Sequence, residues 1–164
     1  MISVPDTAVA EDTSDNSRWA AIAWVIFLVL GVLIVLVGTY WIIGGLNYDD
    51  VGGRAMGYHV IAMVLGALLV AIGFLHFLVA RSIRRHQPSG RRAGIAIAVL
   101  GTLLGVYLVP SALTLRYRFV PGTEATVAEP DLYAISIALF GAAYAIALVS
   151  LILGGKQFKR SEVA

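Results

Sequence analysis

Residues 19–46, 56–80, 93–115 and 132–155 contain no lysine, arginine, aspartate or glutamate, and together they make up more than half of the chain. A bilayer core is roughly 30 Å thick, and a helix rises about 1.5 Å per residue, so each run is long enough to cross it. Every backbone N–H and C=O in lipid must find its partner within the protein, and a helix does this segment by segment. The sequence therefore predicts an all-α fold, an integral membrane bundle of four transmembrane helices whose main partner is the lipid bilayer. Water-soluble fold classes are set aside.

The charges segregate to the ends of these runs. Arg81, Arg84, Arg85, Arg91 and Arg92 crowd the connection between the second and third spans, Arg18 precedes the first, and Lys156, Lys159 and Arg160 follow the last. The other side holds Arg54, Arg116 and Arg118. The positive-inside rule then places the basic connection and both termini in the cytoplasm. Residues 1–18 read as a polar, disordered cytoplasmic tail, 19–155 as one four-span domain and 156–164 as a basic cytoplasmic tail. Asp6, Glu11, Asp12 and Asp15 precede the first run, which is too long for a signal-peptide core, so it reads as a retained span. Short connections suit a bacterial plasma membrane. Arg116 and Arg118 are placed to pair with Asp49 and Asp50 across the outer face.

Small residues suggest how the helices meet. Gly94, Ala98, Gly101 and Gly105 in the third run are spaced four, three and four apart, and Ala134, Ala138, Gly141 and Ala145 in the fourth repeat that spacing. Such a stripe keeps to one face and lets two backbones approach closely, gaining dispersion contact that lipid cannot match. A third-and-fourth-helix hairpin, small face to small face, is the expectation. Gly31 and Gly38 echo the pattern in the first run, and Ala62, Gly66 and Gly73 in the second. Thr102 and Tyr144 fall at similar depth on these neighbours, so they form a candidate intramembrane polar pair; the alternative has Thr102 bonding its own helix at Ala98. Pro110 should weaken or kink the end of the third helix.

Chemistry is sparse. The chain has no cysteine, and its spans have no acidic residue or lysine to carry a proton. A haem held by two histidines would need a histidine at matching depth on another span, yet His59 and His76 share one span and His86 lies in the basic connection. Both span histidines are expected near the interfaces. Met56, His59 and Met63, at i, i+3 and i+7, offer thioether and imidazole to Cu(I), although a methionine stripe at helical spacing is far more often packing than a ligand set. The arginine patch serves as topology signal or as a site for anionic headgroups. No catalytic constellation appears, and nothing indicates nucleic-acid binding. The expected function is non-enzymatic: an accessory or scaffold subunit that packs against itself or other membrane subunits. A transporter or channel component and a copper-handling protein are the alternatives.

Overall fold

The computed structural model describes the backbone of residues 7–46, 56–119 and 132–160, and side chains over 18–46, 59–110, 134–156 and 158. Five helices follow in order: α1 (Thr7–Leu46), α2 (Met56–Arg84), α3 (Pro88–Phe119), α4 (Leu132–Leu153) and the short α5 (Gly155–Arg160). Four of them are long and apolar enough to cross a membrane. α1 begins inside the polar segment for which the sequence predicts disorder, at Thr7.

The helices run up, down, up and down. α1 packs on α2 and α4, and α3 on α4 and α2, while α1 and α3, like α2 and α4, face each other diagonally. The most extensive interface joins α1 to α2. Gly31, Gly38 and Gly45 lie seven residues apart on α1, and His59, Gly66 and Gly73 lie seven apart on α2. Run antiparallel, the two stripes meet in register. A Cβ on Gly38 would lie 2.7 Å from Gly66 O, one on Gly73 2.9 Å from Gly31 O, and one on Gly45 3.2 Å from His59 O. A seven-residue repeat on both partners keeps the seam in line along the whole hairpin.

The α3–α4 hairpin has the predicted partners but a different register on α4. Gly105 meets Gly141 backbone to backbone, Gly94 receives the Leu151 side chain, and Gly101 lies against the ring of Tyr144. The α4 face turned to α3 therefore runs through Ile137, Gly141, Tyr144 and Leu151. Ala138 is exposed and Ala145 half-buried, so the expected stripe through both is only partly used. The physical reason is that Gly101 makes room for an aromatic ring, which a strictly small stripe on α4 would leave unfilled.

The basic connection is tighter than the sequence suggests. Pro88 opens α3, so Pro-Ser-Gly is its first turn rather than a loop, consistent with proline's tolerance where no helical N–H is needed. Only residues 85–87 link the helices, with His86 at φ 54°. Gln87 N–H donates to Ser82 O at 3.0 Å, and the Ser82 hydroxyl donates to Gln87 Oε1 at 2.6 Å. α3 continues past Pro110 to Phe119. The outer connections, with Asp49, Asp50 and the side chains of Arg116 and Arg118, lie outside the described residues.

The glycine seam predicts opposite outcomes for two similar changes. Gly38→Ala should lower the unfolding midpoint in detergent by the equivalent of about 1–3 kcal/mol, because backbone must move apart. Gly44→Ala, where an added Cβ meets nothing within 4 Å, should leave it unchanged or raise it through helix propensity.

Candidate functional site

The buried core lies at the basic end. Ala20, Ala23, Phe27 and Leu30 of α1, Val79, Ala80 and Ile83 of α2, Ala98 of α3, and Ala147 and Leu151 of α4 form one cluster. Phe158 of α5 closes it from below, with its ring 5.9 Å from that of His86. Arg91 Nε–H donates to Leu151 O at 3.0 Å, satisfying a carbonyl at the C-terminal end of α4. The arginine patch thus divides. Arg91 is half-buried and structural, Arg84 covers the Trp24 ring at 5.2 Å, and Arg81, Arg84, Arg85 and Arg92 are exposed.

All four spanning helices converge on one polar layer at the top of this core. His76 is 2% exposed, tilted against Phe27 with ring centroids 5.6 Å apart. Its Nδ1–H donates to Ile72 O at 2.8 Å, since a carbonyl can only accept. Nε2 is then the acceptor, and the Tyr144 hydroxyl donates to it at 2.7 Å. The bond crosses the bundle diagonally, from α4 to α2, and ties one hairpin to the other. Gly101 of α3 cradles the Tyr144 ring.

This layer corrects two expectations. Thr102 does not partner Tyr144: its hydroxyl donates to Ala98 O at 2.7 Å, so its own helix already satisfies it. Thr39 and Ser150 likewise bond the carbonyls four residues back. His76, expected as an interfacial ring, is instead the buried acceptor that a deep tyrosine requires. A histidine and a tyrosine 68 residues apart carry no local pattern, and only the register of α2 against α4 brings them together.

Beyond the layer the hairpins part. Ile34 and Val37 of α1, Leu69 and Ile72 of α2, Leu104 and Leu108 of α3, and Ile137 and Gly141 of α4 surround a cavity of about 580 Å³, with His76 and Tyr144 at its base. On α3 the lining runs from Ile97 to Leu108, about 16 Å along the helix axis. The wall is apolar apart from His76, Tyr144 and Ser136, and no lysine, arginine, aspartate or glutamate contributes to it.

At the far end of the α1–α2 hairpin, His59 Nδ1–H donates to Gly45 O at 2.9 Å. Met63 rests on Gly45. Both therefore serve the helix seam, and the Met56 side chain lies outside the described residues.

Comparison with protein families, with curated proteins and with solved structures found no match, so the site is interpreted from its own geometry.

Two substitutions separate the polar layer from its neighbour. Tyr144→Phe leaves Nε2 of His76 without its donor and should cost about 1–2 kcal/mol in detergent unfolding. Thr102→Val should change stability by less than about 0.5 kcal/mol, because its hydroxyl bonds only within α3.

Proposed function

We propose that this chain is a non-enzymatic membrane protein that binds an apolar, membrane-dissolved molecule in the cleft between its two hairpins. One observation carries the reading: a cavity of about 580 Å³ bounded by all four helices and floored by a hydrogen-bonded polar pair. That volume falls in the range of small-molecule sites, about 300–1,000 Å³. A volume in that range suits a single chain or ring system. Such a protein would serve as the binding component of a carrier, with the basic core as its closed end.

A second reading, the accessory or scaffold subunit, draws on a different surface. Ala138 and Ala142 of α4 are exposed, four residues apart on a face that no helix of this chain covers. Such a pair suits close approach by another membrane helix or a second copy of the chain. The glycines that pack α1 on α2 are used within the chain and do not support it.

The proposed placement of the basic end in the cytoplasm rests on the distribution of arginine and lysine, and that of the chain in a bacterial plasma membrane on its short connections. Because the chain has no cysteine, Ser89→Cys supplies a unique label in the exposed part of the basic turn. It should resist a membrane-impermeant maleimide in intact cells and react after permeabilisation. Reaction in intact cells would invert the topology.

Leu104→Trp places a larger side chain at the cavity wall. Lipid extracts of the purified protein should show a co-purifying apolar molecule that this variant retains at least tenfold less, with its helical circular dichroism unchanged. An extract with nothing beyond bulk lipid in either protein would sink the binding reading.

A further inference from the structure

The base of the cleft specifies the chemistry of what fills it. The proton between His76 and Tyr144 is already assigned. Ile72 O holds Nδ1–H, so the neutral ring presents Nε2 as an acceptor, and the tyrosine proton is committed to it. A neutral ring is the form that an apolar interior favours, since a charge there is costly. The phenolic oxygen accepts as well as donates, and no donor among the described residues meets it. What the layer offers a guest at the base of the cavity is therefore an acceptor.

Resting on the cleft reading above, we infer that the ligand carries an uncharged hydroxyl at its buried end, which donates a hydrogen bond to Tyr144 Oη. The rest of the ligand is apolar and extends about 16 Å toward the end of the bundle opposite the basic turn. Each part of this description has its own ground. A carbonyl or ether head would set its lone pairs against those of the tyrosine oxygen. It could gain the phenolic proton only by taking it from Nε2, which would leave that buried nitrogen unsatisfied. A charged head has no counter-ion, because the lining holds no acidic or basic side chain apart from the neutral imidazole. Between the base and Ser136 at the other end of the lining, a polar group along the ligand would face leucine, isoleucine and valine. The class is a long-chain or isoprenoid alcohol, or a phenol with an apolar tail.

The test compares two probes that differ in one hydrogen-bond donor. Dodecanol and dodecyl methyl ether would be titrated against the full-length protein in detergent, with bound fractions read by native mass spectrometry. The wild-type protein should prefer the alcohol about tenfold, the scale of one net hydrogen bond. In the double variant Tyr144→Phe, His76→Phe, which leaves no acceptor at the base, the preference should vanish while the ether binds as before. Equal binding of alcohol and ether to the wild-type protein would overturn the hydroxyl inference and leave the apolar cleft standing. Failure of both probes to bind, with Leu104→Trp indistinguishable from wild type, would remove the cleft reading itself. The wild-type comparison decides the matter even if the double variant proves too unstable to purify.

Discussion

Two apolar helices gain nothing from hiding from water once both are in lipid, so close backbone approach has to hold this bundle together. The chain meets that constraint with glycine. On α1 and α2 the glycines recur every seven residues, and backbone oxygens of one helix lie within about 3 Å of where a Cβ on the other would stand. That spacing removes lipid from the seam over the half of the hairpin between Gly31 and Gly45. His59, whose ring bonds Gly45 O, ties its far end. The remaining contacts are arranged around this rigid pair.

Joining two such hairpins is a different problem, and the protein solves it at one end only. At the basic end alanines and phenylalanines fill the space between all four helices, and Phe158 and Arg91 close it. The His76–Tyr144 bond marks the top of that filling. Above it the side chains facing the bundle axis do not reach one another, and a cavity results. A polar pair at this level also disciplines the packing. The tyrosine hydroxyl in lipid has to be satisfied, and its one acceptor is on the opposite hairpin, so the relative register of the hairpins is held where the bond is made.

The cleft and its floor support the binding reading through their chemistry rather than through any likeness to other proteins. An acceptor-presenting oxygen at the base of an apolar wall discriminates among ligands by one hydrogen bond, and selectivity of that kind needs the surroundings to be dry and otherwise featureless. The absence of charged side chains from the lining is what keeps the wall in that state.

The four helices were legible in the sequence because membrane crossing depends on length and apolarity alone, both of which are local. The close approach of Gly105 to Gly141 was legible too, since small residues at heptad spacing can meet only one kind of neighbour. Thr102 was misread as a partner for Tyr144 because depth along a helix can be counted from sequence, whereas the direction in which a side chain leaves the bundle axis cannot. Ala138 failed to join the α3 interface for the same reason, as Tyr144 rather than Ala145 turned inward. The start of α3 at Pro88 was hidden because a charge-free run begins only after Arg92, whereas a helix's first turn tolerates both proline and arginine. What the chain determines by itself is the number of spans, the segregation of its charges and the glycine seams, because each depends on residues near one another in sequence. Only the tertiary structure decided that His76 meets Tyr144 across the bundle and that the hairpins part above them. Both depend on the angle between two hairpins, which is settled by packing along their whole length and has no local signature.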